Sequence, residues 1–201
     1  MTVSTKNVAS TTVLTVPNQL TIARLILSIV LFALLPFKFY LTGLAVFIVA
    51  ASTDWLDGYL ARRYGWVTVL GRILDPFVDK IIICGTFIFL AAIPASDTSP
   101  GSQVQAWMVV VIVGRELLVT ALRSFLEQQG ADFSATMSGK LKMVVQCIAA
   151  GSSLFFLSWA DGDTAPDWLK WLVISSVWAA VLLTIYSGVV YVRAAIALFR
   201  R

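Results

Sequence analysis

Long apolar runs separated by short polar breaks form the dominant pattern along the chain. Each run is long enough for a helix to cross a bilayer, which takes about 20 residues. The breaks contain Pro, Gly, Ser and Asp, which favour turns. The runs cover residues 20–37, 39–60, 73–94, 106–126, 141–159 and 168–199. This pattern predicts an all-α integral membrane protein with six transmembrane helices.

The first 16 residues differ from the rest because they are polar and rich in Ser and Thr. We interpret residues 1–16 as an N-terminal tail and residues 17–201 as a single transmembrane domain. The apolar run that starts at Leu20 is followed by "PFKFY" rather than by a small-residue cleavage site, which argues against a signal peptide.

Charge is scarce and lies mostly on one side of the predicted bundle. The chain is 59% hydrophobic and 13% charged. An even number of helices places both termini on one side, and thirteen of the fifteen basic residues then lie at that side, with Lys38 and Lys170 opposite. The positive-inside rule predicts that this side is the cytoplasmic face of a bacterial inner membrane. Anionic lipid accounts for a net charge of +4 without any nucleic acid.

The polar halves of the second to fifth segments all lie at the predicted cytoplasmic end. A charge at the bilayer centre costs about 2.5 to 3.5 kcal/mol on insertion scales, so this grouping predicts a shared, cytoplasm-facing polar cavity. Snorkelling helix ends are an alternative that suits Arg63, Arg200 and Arg201. Aspartate side chains are too short to snorkel.

Four aspartates form two stripes on neighbouring segments. Asp54 and Asp57 are three residues apart, and Asp75 and Asp79 are four apart, so each pair shares a helix face. The chain has no histidine, and Cys84 and Cys147 stand alone in apolar runs as expected of small buried hydrophobes. Oxygen-only ligands favour Mg²⁺ or Mn²⁺, with two ions in one site. A proton or cation pathway is the alternative.

The stretch from Asp54 to Asp79 is identified as a close match to the signature of the CDP-alcohol phosphotransferase family. That signature reads D-x2-D-G-x2-A-R-x8-G-x3-D-x3-D, and all of its fixed positions are matched. They are Asp54, Asp57, Gly58, Ala61, Arg62, Gly71, Asp75 and Asp79. The family displaces CMP from a CDP-linked lipid or alcohol with a second alcohol. The six-helix interpretation agrees with the fold that this resemblance implies.

The resemblance also implies roles for single residues. Asp54, Asp57 and Asp75 would bind metal, and Asp79 would bind metal and take the proton of the incoming hydroxyl. The CDP pocket would be formed by Asp57, Gly58, Ala61, Arg62 and Gly71, with Asn18 and Thr21 from the first segment. CDP-diacylglycerol is the expected donor, and a homodimer is expected because relatives are usually dimeric.

Three further stretches resemble the phosphatidylglycerophosphate synthase subfamily, whose acceptor is glycerol 3-phosphate. They are "PNQLTIARL" at 17–25, "VGRELLVTALR" at 113–123 and "SGKLKMVVQ" at 138–146. Met143 departs from the small or hydroxylated residue expected there. An acceptor that carries a phosphate needs cations beside it, and the candidates are Arg115, Lys140, Lys142 and Arg123.

Alternatives remain open at several positions. Arg115 and Glu116 could form a structural ion pair, and Lys140 and Lys142 could be interfacial lysines. Asn18, Thr21 and Arg24 could supply a helix N-cap and an inner-rim cation. The acceptor could instead be inositol phosphate, or phosphatidylglycerol as in a cardiolipin synthase. A cation or proton transporter is the rival from another class, although the outer halves of the second to fifth segments carry almost no charge.

Overall fold

The computed structural model describes the backbone of residues 16–64, 69–93, 95, 101–128, 137–160 and 165–199. Side chains are described for residues 18–53, 74–93, 95, 101–126, 139, 141–159 and 165–197. All regular structure in these ranges is helical. The helices are α1 (Val16–Leu34), a 3₁₀ turn (Leu35–Phe37), α2 (Tyr40–Tyr64), α3 (Val69–Ala91), α4 (Ala106–Gln128), α5 (Met137–Ala160) and α6 (Asp167–Phe199).

The helices agree with the six predicted apolar segments, and the all-α prediction is confirmed for the described part of the chain. Several of them extend beyond the apolar runs on the polar side; for example, α2 continues to Tyr64, and α3 already begins at Val69. The charged signature is therefore built into helical backbone. Three described stretches are long and apolar enough to cross a membrane: Asn18–Phe37, Leu141–Trp159 and Asp167–Ala197.

A tight corner joins α1 to α2. Pro36 lies within the 3₁₀ turn, and Lys38 follows with a φ of 63° in the left-handed region. The backbone N–H of Lys38 donates to the carbonyl of Leu35 at 3.0 Å, which satisfies a helix-end acceptor. The corner returns the chain along α1, and the two helices pack against each other.

Each helix contributes to one apolar core. Examples with at most 2% exposure are Leu31, Phe47, Phe87, Ile112, Leu154 and Val177, one from each helix in order. Helix α1 packs on α2 and α3, α5 packs on α6, α2 and α3, and α4 packs on α6 and α3. Many large apolar side chains on the outside are exposed, as expected of a surface that faces lipid.

The contact between α1 and α3 depends on Gly85. A Cβ atom at this position would lie 2.1 Å from Cζ of Phe32, which no real contact tolerates. The Phe32 ring stacks on Phe89 with centroids 5.2 Å apart. The missing side chain thus lets α1 lie close along α3, and this close approach brings polar residues of both helices together at their other end.

Candidate active site

Two carboxylates of α3 are held by polar side chains of α1. Asp75 and Asp79 lie one helical turn apart and are both half-buried. The hydroxyl of Thr21 donates to Oδ1 of Asp75. Nη1 of Arg24 donates to Oδ1 of Asp79 at 2.5 Å. The later residue of α1, Arg24, contacts the later residue of α3, Asp79, so the two helices run parallel here.

The partners on α1 are almost completely buried. Thr21 and Arg24 are each 1% exposed, whereas the side chain of Asp79 keeps 30% exposure. A buried guanidinium needs a paired anion, and a charge-assisted hydrogen bond to Asp79 supplies it. Sequence reasoning placed Arg24 at the inner rim and missed this pair. The shared spacing of three to four residues on the two helices was the available signal.

The other signature side chains lie outside the described residues. They are Asp54, Asp57, Gly58, Ala61, Arg62 and Gly71, although their backbone belongs to α2 and to the first turn of α3. The predicted four-aspartate cluster therefore stays a prediction. The two described carboxylates fit a hard divalent cation, because they present only oxygen donors on one helix face.

A cavity of about 160 Å³ lies beside Asp79, between α3, α4 and α5. Its charged and amide-bearing lining residues come from all three helices. They are Asp79, Lys80, Glu116, Lys142 and Gln146. Met143, the departure from the expected subfamily pattern, also lines it. The cavity thus brings a carboxylate that can accept a proton next to lysines that can bind an anion.

Glu116 and Lys142 form an ion pair across this cavity. Nζ of Lys142 donates to Oε1 of Glu116, and the side chains are 7% and 12% exposed, respectively. Arg115 also approaches Oε1 of Glu116, at 3.4 Å through Nη1. The predicted Arg115–Glu116 contact exists, but it is long, and the Glu116–Lys142 pair between α4 and α5 was not foreseen. Only the tertiary packing brings those two residues together.

A neutral hydrogen bond ties the cavity to α6. Nε2 of Gln146 donates to Oγ1 of Thr184 at 3.0 Å, and Thr184 in turn donates to the carbonyl of Ala180 at 2.6 Å. Gln146 is 1% exposed and Thr184 is fully buried. Sequence reasoning included Gln146 only as part of a resemblance and did not identify its partner.

The remaining predicted site residues are distributed more widely. Asn18 is buried near the start of α1, and Arg123 is partly buried on α4. Arg115 lines a different cavity, between α4 and α6, and its guanidinium carbon lies 5.4 Å from the ring centroid of Tyr191. The side chain of Lys140 lies outside the described residues.

Comparison with known proteins places this geometry in context. Residues 14–186 match the sequence profile of the CDP-alcohol phosphatidyltransferase family. A CDP-diacylglycerol–glycerol-3-phosphate 3-phosphatidyltransferase of Bacillus subtilis (strain 168) is 34% identical over 193 residues, covering 86% of this chain and 90% of the relative. Proteins with the same name from Sodalis glossinidius and Rickettsia typhi are 30% and 32% identical, and the matches cover 90% and 89% of this chain and 95% of each relative.

Proposed function

Because the chain belongs to the CDP-alcohol phosphatidyltransferase family, we propose that it transfers the phosphatidyl group of CDP-diacylglycerol to sn-glycerol 3-phosphate. The products are phosphatidylglycerophosphate and CMP, and the reaction belongs to phospholipid biosynthesis. The observation that carries this assignment is Asp79, held by Arg24 at the edge of a cavity that also contains Lys142. The names of the curated relatives favour glycerol 3-phosphate over the other acceptors.

Asp79 is the proposed general base. Its Oδ1 atom accepts a hydrogen bond from Arg24, which orients the carboxylate. An ionised carboxylate at the cavity wall can take the proton from the acceptor hydroxyl as the hydroxyl oxygen bonds to phosphorus. Thr21 orients Asp75 from the same helix, so α1 acts as a rigid support for both aspartates.

The metal site is proposed from the donor set. Asp54, Asp57, Asp75 and Asp79 would hold two Mg²⁺ or Mn²⁺ ions, which suit an all-oxygen set of carboxylates. Such ions, when bound, neutralise the diphosphate and stabilise the leaving CMP. The orienting hydrogen bonds to Asp75 and Asp79 support this proposal, since ligands of a metal are commonly held by outer partners.

The acceptor phosphate is proposed to bind at Lys142. This lysine lines the cavity next to Asp79 and already pairs with a carboxylate oxygen of Glu116, whose place a phosphate oxygen could take. Lys140 and Arg123 are the further candidates, whereas Arg115, the fourth residue expected from the sequence, lines the cavity between α4 and α6 instead. Glu116 would then hold Lys142 in position between turnovers.

The donor lipid is proposed to enter from the inner leaflet. An apolar groove of about 780 Å³ lies between α2 and α5, and Ser52 at its polar end is two residues before Asp54. Its walls include Leu44, Phe47 and Phe155, which suit an acyl chain. The CDP head group would then contact Asp57, Gly58, Ala61, Arg62 and Gly71, together with Asn18 and Thr21.

The membrane arrangement is also a proposal. We propose that all six helices cross the bacterial inner membrane, with both termini and the active site at the cytoplasmic face, as a single domain over residues 17–201. The three apolar stretches and the exposed apolar surface support a membrane protein. A homodimer is proposed only from the resemblance to dimeric relatives.

The test is CMP release by the purified protein in detergent with CDP-diacylglycerol and Mg²⁺. Glycerol 3-phosphate, inositol phosphate, serine and phosphatidylglycerol are compared as acceptors. Glycerol 3-phosphate is expected to support release, and Asp79→Asn is expected to lower the rate on the order of 10²- to 10⁴-fold, the usual contribution of a general base. Release with a different acceptor would overturn the specificity, and full activity of Asp79→Asn would overturn the base.

A further inference from the structure

A second cavity lies on the other side of α4, between α4 and α6. Its volume is about 580 Å³, and its lining shares no residue with the cavity beside Asp79. Val110, Leu118, Ile185 and Val189 contribute apolar walls. We call this the α4–α6 groove. It is open to the outside of the bundle, where lipid is expected.

Two glycines create the depth of this groove. A Cβ atom at Gly114 would meet nothing within 4 Å, so space beside α4 is empty there. A Cβ atom at Gly188 on α6 would lie 3.2 Å from Cγ of Arg115, so Gly188 leaves room for the arginine stem. The glycines define only the shape of the groove. The class of ligand is inferred from the charged side chains that line it.

Arg115 lines the groove and has buried hydrogen-bond donors without a partner among the described residues. Its side chain is 9% exposed, and its Nε and Nη2 atoms are buried without a hydrogen bond to any residue in the part of the chain that the structure describes. These two nitrogens carry three N–H groups. Buried donors of a charged group are costly when unpaired, and an anion is the partner that removes this cost.

Arg193 adds a second positive charge. It lines the inner end of the groove, is exposed, and lies five residues beyond Gly188 on the same helix. Arg193 forms no ion pair with any of the residues that the structure describes. Apolar walls that end in two cations match an amphiphile with an acyl chain and an anionic head group. A free phosphate ion would leave the apolar walls unfilled.

We propose that the α4–α6 groove binds one phospholipid with an anionic head group, separate from the substrates in the active site. The acyl chain lies against the apolar walls, and the phosphate pairs with Arg193 and with the unused donors of Arg115. The empty space beside Gly114 allows the guanidinium to move toward the head group. This inference goes beyond the transferase reaction and does not depend on it.

The test is lipid binding measured by native mass spectrometry. The delipidated full-length protein in detergent is titrated with phosphatidylglycerol or phosphatidylcholine of the same acyl chains. Phosphatidylglycerol is expected to occupy one site per chain on the order of tenfold more tightly, because both lipids carry a phosphate but only phosphatidylglycerol has a net negative charge that matches the two arginines. Equal binding of the two lipids would overturn the proposal.

Two variants locate the site. Arg193→Gln is expected to reduce phosphatidylglycerol affinity several-fold, whereas Lys170→Gln removes a charge from the outer end of the same helix and is expected to have no effect. Gly114→Leu is expected to fill the groove and weaken both lipids, with Gly114→Ala as the milder version should the larger side chain disturb folding. Equal effects of Arg193→Gln and Lys170→Gln would indicate nonspecific attraction and overturn the site.

A competition experiment distinguishes binding of the lipid from binding of a free phosphate compound. Glycerol 3-phosphate at high concentration is expected to leave phosphatidylglycerol bound, because the two occupy different cavities. Displacement of the lipid would instead place a soluble phosphate at Arg115 and contradict the proposal. Since the readout is bound mass, a failure of the transferase assay would not affect this result.

Discussion

The α1–α3 and α4–α6 helix pairs each contain a buried arginine and a glycine, yet these residues make different contacts in the two pairs. In the α1–α3 pair, Arg24 donates to Asp79, and the space at Gly85 is filled by Phe32. In the α4–α6 pair, two nitrogens of Arg115 have no partner among the described residues, and the space at Gly114 is empty.

This difference shows how the same residue types can serve two purposes. A close packing interface with a paired charge fixes the position of a carboxylate, which the proposed base Asp79 requires. An incomplete interface with unused donors has capacity for another molecule. Three pairs of matched substitutions test the comparison, all measured as the change in the free energy of unfolding in lipid-free mixed micelles.

The largest effect is expected from the two arginines. Arg24→Met should destabilise the protein on the order of 3 kcal/mol, the lower end for removing one partner of a buried ion pair, because Asp79 keeps 30% exposure. Arg115→Met should change stability by about 1 kcal/mol or less, because removing two unpaired donors offsets the loss of the long contact to Glu116, which keeps Lys142, and of the contact with Tyr191. Equal losses in the two variants would contradict the contrast between the interfaces.

A smaller effect is expected from the two glycines. Gly85→Ala should cost about 1 to 3 kcal/mol, because the new methyl group overlaps Phe32, whose ring is stacked on Phe89. Gly114→Ala should be neutral or slightly stabilising, since alanine favours helix and meets open space. A harmless Gly85→Ala would mean that Phe32 can move aside and that the α1–α3 contact is looser than described.

The smallest effect is expected from two buried threonines. Thr184→Val should cost roughly 0.6 kcal/mol, a common value for a hydrogen bond between membrane helices, because it removes the acceptor of Gln146. Thr86→Val is the control, since Thr86 is equally buried and donates to the carbonyl of Ile82 within its own helix. If Thr86→Val lowered the free energy of unfolding as much as Thr184→Val, the hydrogen bond between α5 and α6 would make no separate contribution to stability.

The fold was largely predictable from the chain. Apolar runs of bilayer length predict helices directly, because a lipid-facing backbone must satisfy its hydrogen bonds within the segment. The helix ends were harder to predict. The charged residues before Ile73 interrupt the apolar pattern, yet α3 already begins at Val69, since backbone hydrogen bonding does not require apolar side chains.

The candidate site was predictable only in part. The spacing of Asp75 and Asp79 indicated one helix face, and both do receive hydrogen bonds on the side that faces α1. The partner of Asp79 was missed, because Arg24 lies 55 positions away in the sequence and spacing alone does not show which helices are neighbours. The Glu116–Lys142 pair was missed for the same reason. The sequence also could not show that two nitrogens of Arg115 have no partner among the described residues.

The sequence by itself therefore determined the helical architecture, the carboxylate signature and the family, because these depend on hydrophobic length and on local spacing. Only the tertiary structure decided which charges meet. The Arg24–Asp79 pair and the unpaired donors of Arg115 both depend on how closely neighbouring helices approach each other. For α1 and α3, that distance depends on the contact between Gly85 and Phe32.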